Sequence, residues 1–325
     1  MAASMSKKMS LKCHLIFKEK LSLKKQCHVI RCLKKSSIVN SYSTKASPTQ
    51  YCLDLVKKSD YENYLCTLLY HKDYRTSAIA LRALYIELAQ VQDVTSDKMR
   101  AIMRLQFWKD TIDKMFKGTP PETPVAIAAT RAIMKHKLSK IWFTRILEER
   151  VRQVNQDMNR TIKDVEDSAE NTVSALTYIM LESAGIKDVN ADHAASHVGR
   201  CQGLVTLLRA TAYHASRNKV YTPIELLIKH NVSQEQILRC TDDQKIKDVM
   251  YDIACVAHSH LETARVIKDV PKQAYPVLLN TYICDTYLKN LQLVDFNVFD
   301  ERLHVRNPKL AWQLWKQKNI RRTFK

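Results

Sequence analysis

Two aspartates, Asp93 and Asp97, lie four residues apart in a stretch with helical character. If one helix continued through both, the two carboxylates would share a face, and carboxylate oxygens are the ligands that Mg²⁺ prefers. The alternative is a solvated helix end at Asp93, followed by a second helix that Asp97 caps. We favour the second interpretation, because two carboxylates alone supply few of the oxygen ligands that Mg²⁺ requires.

Two histidines, His193 and His197, have the same spacing directly after Asp192. Histidines at i and i+4 can hold zinc, but no Glu follows His193 in an H-E-x-x-H pattern and no third ligand is apparent. A polar helix start packed against a neighbour is therefore the preferred interpretation. His258 and His260 are two residues apart, which directs them to different sides of a helix. The nine cysteines form no C-x-x-C pair, and we expect idle thiols in a reducing compartment.

Helices must position these side chains. The chain has only 4 Gly and 8 Pro, and its long stretches of Leu, Ala, Ile, Lys, Glu and Gln favour helices of more than ordinary length. Hydrophobic periodicity predicts helices over residues 77–91, 99–116, 125–136, 141–155, 165–183, 191–212, 246–266 and 273–291, with short ones from Pro223 and Ser233. No alternating run argues for a sheet, so we predict one all-α domain of roughly nine to eleven helices over residues 48–300.

The net charge of +19 is concentrated at the two ends of the chain. Residues 1–48 carry +10, residues 307–325 carry +6, and the 258 residues between them carry only +3. A body so close to neutral is not a broad phosphate-binding surface. We therefore expect no nucleic-acid partner.

The N-terminal segment, residues 1–47, is basic, contains serines and has a single acid, Glu19. With its amphipathic spacing of apolar residues it is typical of a mitochondrial presequence, although Lys dominates over the usual Arg. We expect cleavage between Arg31 and Pro48. A disordered basic tail is the alternative.

The C-terminal tail, residues 301–325, combines tryptophans with Lys and Arg. Such a tail suits the interface of an anionic membrane, and the alternative is an end helix whose tryptophans pack on the domain. No run in the chain approaches the roughly 18 apolar residues of a spanning helix, so a membrane contact would be peripheral. The candidate membrane contacts are Trp312, Trp315, Lys316, Lys318, Arg321 and Arg322.

The stretch 198–223 resembles a segment of the squalene/phytoene synthase family. In that family a helix ends in an Asp-x-x-x-Asp pair, and a basic stretch and an aromatic residue near a proline follow. Here Arg209, Tyr221 and Pro223 match that frame, whereas the two aspartate positions fall on Ala210 and His214. Weaker similarities in the same order, such as Arg104-Leu105 with Trp108 and Pro124-Val125-Ala126, extend from about residue 60 to residue 291.

The family's first metal motif, Asp-Asp/Glu-x-x-Asp, is also mostly lost. Aligned through Ala83-Leu84-Tyr85, its three acidic positions become Gln92, Asp93 and Ser96, with Asp97 just beyond. The resemblance implies an isoprenoid-synthase-like helical domain, and in the family's enzymes Mg²⁺ is held between carboxylates on two facing helices. We predict a degenerate cleft with no metal, no cofactor and no catalysis. The alternative is an active prenyltransferase-like enzyme that acts on prenyl diphosphates through Asp93 and Asp97.

Within the superfamily, three segments resemble the branch of mitochondrial complex I assembly factors. They are residues 87–91, residues 192–197 and Arg209-Ala210-Thr211. The resemblance implies a matrix protein, peripheral on the inner membrane, that supports early biogenesis of the membrane arm. Its partners would be complex I assembly intermediates or subunits.

Overall fold

The computed structural model describes residues 47–95, 97–156, 158–321 and 323–324, which all fall in one packing unit. The predicted presequence, apart from residue 47, lies outside the described residues. Within them the regular structure is helical and no strand is present, so the all-α prediction is confirmed.

The first half of the described chain forms eight α-helices. They are α1 (Pro48–Ser59), α2 (Tyr61–Leu68), α3 (Lys72–Ala89), α4 (Val91–Val94), α5 (Lys98–Phe116), α6 (Pro124–His136), α7 (Lys140–Asn155) and α8 (Ile162–Ala169). Proline at the first positions of α1 and α6 fits, because its missing N–H would be unpaired there. Gly118 follows α5 with φ +78°, a left-handed conformation that favours glycine.

The second half begins with a π-helical turn, Glu170–Ser174, that joins α8 to α9. The α-helices are α9 (Ala175–Ser183), α10 (Val189–Ala215), α11 (Ile224–Lys229), α12 (Gln234–Leu238), α13 (Gln244–Val266), α14 (Asn280–Leu293) and α15 (Leu310–Lys316). A second π-helical turn, Gln317–Arg321, follows α15. The described residues thus contain more helices than predicted: α15 lies in the tail, α4 is a short separate helix after α3, and the π-helical turn divides the segment predicted over residues 165–183 into α8 and α9.

Helix α10 lies at the centre of the molecule. Its N-terminal half, with Ala194 and Val198, belongs to a core shared with α3, α5, α6 and α9, and its C-terminal half, with Leu204 and Leu208, belongs to a core shared with α13 and α14. All four side chains are fully buried. Both ends of α10 are therefore fixed against several neighbouring helices.

Two glycines on α10 allow the end of α8 and the π-helical turn to approach closely. A Cβ atom on Gly199 would lie 2.6 Å from the Cα of Ser174, and one on Gly203 would lie 2.3 Å from the Cβ of Ala169. Distances that short are not tolerated in packed protein. The close contact between α10 and this turn therefore requires glycine.

The C-terminal helix α15 packs on α2 and α14. Leu310 and Leu314 are buried in a small apolar cluster with Cys66, Leu279 and Ile283. None of the described helices is both long enough and apolar enough to cross a membrane.

Candidate functional site

Asp93 and Asp97 lie on different elements. Helix α4 ends at Val94, and Asp97 begins α5 as its N-cap, where its side chain accepts a hydrogen bond of 3.0 Å from the backbone N–H of Met99. The shared helix face is therefore wrong, and the capping interpretation is confirmed. Ser96, between them, lies outside the described residues.

Asp93 has an arginine as its partner. Arg217, just after the end of α10, places Nη1 3.6 Å from Oδ1 of Asp93 and lies 4.5 Å from the ring centre of Tyr213. Both side chains of the ion pair are 43% exposed, so the pair contributes at most about 1 kcal/mol to the free energy of unfolding. Gln92, next to Asp93, is half-buried. The charge of this carboxylate is balanced by the protein itself.

His214 lies half-buried at the end of α10. Its ring meets that of Tyr221 edge-on at 4.6 Å. Burial lowers the pKa of His214 to about 4, against the opposing effect of Asp93, so the imidazole is neutral at pH 7. The depression beside it, which Leu207 and Ile237 also line, has no room for a water molecule.

Arg209 and Ala210 complete the set of residues that the resemblance selected on α10. The Arg209 guanidinium lies 2.5 Å from Oε2 of Glu62 on α2 and 5.6 Å from the ring centre of Tyr287. Burial opposes the charge of Arg209, but Glu62 raises its pKa above the ordinary value. Ala210 offers only a methyl group. The C-terminal end of α10 therefore presents an arginine, a methyl group and a neutral imidazole.

A second ion pair joins α3 to the start of α2, the helix that carries Glu62. Arg82 on α3 places Nη1 3.0 Å from Oδ2 of Asp60, the residue between α1 and α2, and only 8% of its side chain is exposed. Burial by itself would lower the pKa of Arg82, but Asp60 raises it above its ordinary value. Through Asp60 and Glu62, α2 is thus linked to both α3 and α10.

A sequence model of the squalene/phytoene synthase family matches residues 56–309. The chain belongs to this family.

Two relatives resemble the chain over most of its length. Complex I assembly factor 6 of Homo sapiens is 47% identical over 275 residues, which covers 84% of this chain and 82% of that protein. The protein of the same name in Bos taurus is 46% identical over 269 residues, or 82% of this chain and 81% of that one. Among solved structures, a dehydrosqualene synthase in complex with a ligand superposes with a TM-score of 0.72 at 16% identity, covering 83% of this chain and 94% of that chain. At that identity the superposition establishes the fold alone.

The residues at the two motif positions offer few oxygen ligands to a metal ion. Asp93 is paired with Arg217, Asp97 caps α5, and His214 is neutral and packed on Tyr221. In the part of the chain that the structure describes, no group of three or more His, Cys, Asp or Glu side chains is arranged to hold a metal ion. These residues do not form a multi-carboxylate Mg²⁺ site.

Sequence reasoning missed a polar network around the N-terminal half of α10. The carboxylate of Glu170, in the π-helical turn, accepts hydrogen bonds from Tyr178 at 2.7 Å, Ser196 at 2.7 Å and Arg200 at 3.1 Å. Burial raises the pKa of Glu170, but these three partners more than offset it, so the pKa is lowered. No sequence signal pairs Glu170 with α10.

A second polar cluster on this half of α10 contains histidines from two helices. His260 on α13 lies between Glu166 on α8 and His197 on α10, and His197 also contacts His193. The expectation that His258 and His260 diverge is correct for that pair, yet His260 meets the other two histidines. Periodicity could not predict this contact, because the two residues, His197 and His260, are 63 positions apart in the chain.

A cavity among the described residues lies away from these sites. It has a volume of about 170 Å³ and lies between α1, α3 and α6, where Cys52, Ser77 and Arg131 line it. Burial, with a further effect of Glu87, raises the pKa of Cys52 to about 12, so this thiol is not a nucleophile at neutral pH. None of the residues predicted for the cleft lines this cavity.

The tail divides into a packed side and an exposed side. Trp312 is 58% exposed and Trp315 is 47% exposed, while Lys316 lies 5.2 Å above the Trp312 ring. Lys318 points toward the domain instead, since its Nζ donates a hydrogen bond of 2.6 Å to the carbonyl of Leu69. Arg321 is exposed, and Arg322 lies outside the described residues. Lys318 is therefore not available as a membrane contact in this conformation.

Proposed function

We propose that this chain is a non-catalytic assembly factor for mitochondrial respiratory complex I. The observation that carries the proposal is its 47% identity to complex I assembly factor 6 of Homo sapiens, over more than four-fifths of both chains. Similarity that extends over most of both proteins concerns the whole domain and not a single motif. The assembly role is therefore the most economical function for this chain.

The proposed absence of catalysis is supported by the lack of available Mg²⁺ ligands at the two motif positions. Coupling of prenyl diphosphates requires Mg²⁺ to neutralise the departing diphosphate, and Mg²⁺ requires oxygen ligands. Asp93 is engaged by Arg217 and Asp97 by the backbone of α5. The prenyltransferase alternative would have to recruit acids that the described residues do not bring together.

We place the protein in the mitochondrial matrix, peripheral on the inner membrane, where it acts early in membrane-arm biogenesis. The basic segment 1–47 supports import. In the tail Trp312, Trp315 and Arg321 are exposed and Lys316 is half-buried, and this aromatic and basic surface supports contact with anionic lipid. The partners proposed are complex I assembly intermediates or subunits.

Removal of the protein from cells tests the assembly role directly. The proposal expects less assembled complex I on native gels, with the other respiratory complexes largely intact and with recovery when the wild-type chain is restored. An equal loss of all respiratory complexes would contradict it. Radiolabelled prenyl diphosphate with the purified full chain tests catalysis separately, and a Mg²⁺-dependent product above a heat-killed control would favour the enzyme alternative.

A further inference from the structure

Four side chains form a continuous chain of contacts from the surface of α10 to α8. The Nε2 atoms of His193 and His197 are 3.2 Å apart, and the Nδ1 atoms of His197 and His260 are 2.9 Å apart. Nε2 of His260 lies 2.6 Å from Oε1 of Glu166. His193 is exposed, whereas only 15% of the Glu166 side chain is. The chain thus connects solvent to a nearly buried carboxylate.

The hydrogen-bond partners define the tautomers along this chain. A carboxylate only accepts, so His260 donates from Nε2 to Glu166. In a neutral His260, Nδ1 is then the acceptor and receives the Nδ1–H of His197. The lone pair of His197 is consequently on Nε2, the atom that faces Nε2 of His193.

We propose that His193 and His197 bind a divalent transition metal of the zinc class through their two Nε2 atoms, with water completing the coordination. Zn–N bonds of about 2.0–2.1 Å in a tetrahedral site place two ligand nitrogens about 3.3 Å apart. The observed separation is 3.2 Å, so the two nitrogens, both on α10, already lie at the distance that such a site requires. His193 would carry its proton on Nδ1, and this N–H can donate a hydrogen bond to water.

His260 and Glu166 are the outer partners of this metal site. A metal-bound histidine commonly donates its second N–H to a carboxylate or another acceptor, which fixes the ring and makes it a better ligand. Here His197 donates to His260, and His260 donates to Glu166. Histidine pairs on an isolated helix surface lack this support.

Two carboxylates lie beside the outer partners of this site. Glu166 contacts His260 at 2.6 Å, and Glu170 accepts a hydrogen bond of 2.7 Å from Ser196, the residue before His197. The neighbouring Arg200 is paired with Glu170 at 3.1 Å.

Zinc titration of the purified full chain against a chromophoric chelator tests the proposal, with accessible thiols alkylated in every sample. We expect His193→Ala to abolish the tightest zinc-binding step. The matched control is His258→Ala, an exposed histidine on α13 outside the chain of contacts, and it should bind zinc as wild type does. Glu166→Gln should weaken binding by about 10–100-fold, the usual effect of losing an outer partner.

Zinc should also raise the thermal unfolding temperature of the wild type and of His258→Ala, but not of His193→Ala, because a ligand that binds the folded state stabilises it. Should His193→Ala fail to fold, His193→Asn provides the same comparison at this exposed position. Unchanged zinc affinity in a folded His193 variant would overturn the site. Equal losses in the His193 and His258 variants would also overturn it, since they would indicate nonspecific binding to surface imidazoles.

Discussion

Asp93 and Arg217 form an ion pair, 3.6 Å between Oδ1 and Nη1, at the position where the family resemblance places a metal ligand. The guanidinium comes from the segment after α10, so it joins the two regions that carry the two motif positions. The positive charge that faces this carboxylate therefore belongs to the protein. Since both side chains are 43% exposed, solvent weakens their attraction.

The first prediction compares the exposed Asp93–Arg217 pair with the largely buried Asp60–Arg82 pair. Arg217→Ala should lower the free energy of unfolding by no more than about 1 kcal/mol, because exposed pairs contribute little. Arg82→Ala should lower it by about 3–5 kcal/mol, because Asp60 would lose its partner in a largely buried setting. Urea denaturation of the two variants measures both values. Equal costs would mean that burial does not distinguish the two pairs.

A second prediction concerns the glycines of α10. Gly199→Ala should destabilise the fold by at least about 1–3 kcal/mol, because the new methyl group would meet the backbone of Ser174. Thr206→Ala, an exposed change on the same helix, should be nearly neutral. The denaturation midpoints of the two variants provide the measurement. A Gly199→Ala variant as stable as wild type would show that the turn can move away from α10.

The pH dependence of stability follows from His214 and His197. Burial lowers the pKa of both to about 4, below the ordinary value of 6.5, so the unfolded chain binds more protons than the folded one between these values. Their contribution to stability is fully present above pH 6.5 and is lost as the pH falls toward 4. His214→Phe, which keeps a ring against Tyr221, should reduce this slope in denaturation experiments at pH 7.5 and pH 5. An unchanged slope would assign the acid sensitivity to other groups.

Much of the fold could be predicted from the sequence because the long helices are marked by periodicity and clear ends. The prediction for residues 99–116 differs by one residue from α5, Lys98–Phe116, and that for residues 246–266 by two residues from α13, Gln244–Val266. The π-helical turn at Glu170–Ser174 was not predicted, since it lies inside a run that reads as one helix. Its close packing on Gly199 is a tertiary contact that local propensity does not encode.

The candidate site was predictable only where the evidence was local. The capping role of Asp97 follows from the residue type and its position before α5. The partner of Asp93 could not be predicted, since Arg217 lies 124 positions away in the chain and meets it only through the arrangement of α4 and α10. The contact between His197 and His260 was missed for the same reason. Lys318 was assigned to the membrane side on composition, whereas its position is set by the carbonyl of Leu69.

A fourth prediction concerns the tail. Vesicles that contain anionic lipid should bind the full chain, and Trp312→Ala/Trp315→Ala or Lys316→Glu/Arg321→Glu should weaken that binding. The exposed Trp312, Trp315 and Arg321, with the half-buried Lys316, form the aromatic and basic side of the tail. Lys245→Glu, an exposed charge reversal on α13, is the control and should have a much smaller effect. Sedimentation with vesicles at low and high salt gives the measurement. If the Lys245 variant loses as much binding as the tail variants, the attraction is only a net-charge effect.

The last prediction separates an assembly role from residual chemistry at the cleft. In cells that lack the protein, the double variant Asp93→Ala/Asp97→Ala should restore complex I as well as the wild-type chain does. These two acids are all that remains at the first motif, so any metal chemistry there would depend on them. Loss of the Asp97 cap should cost about 1 kcal/mol, and loss of the exposed Asp93–Arg217 pair should cost less, so the variant should fold and accumulate.

Gly203→Leu provides the contrast: its side chain would collide with Ala169, so it should fail through low abundance. Protein abundance and assembled complex I are measured in the same cells. If the double variant is present at normal abundance and complex I is still missing, the carboxylates act chemically and the prenyltransferase alternative is the better account.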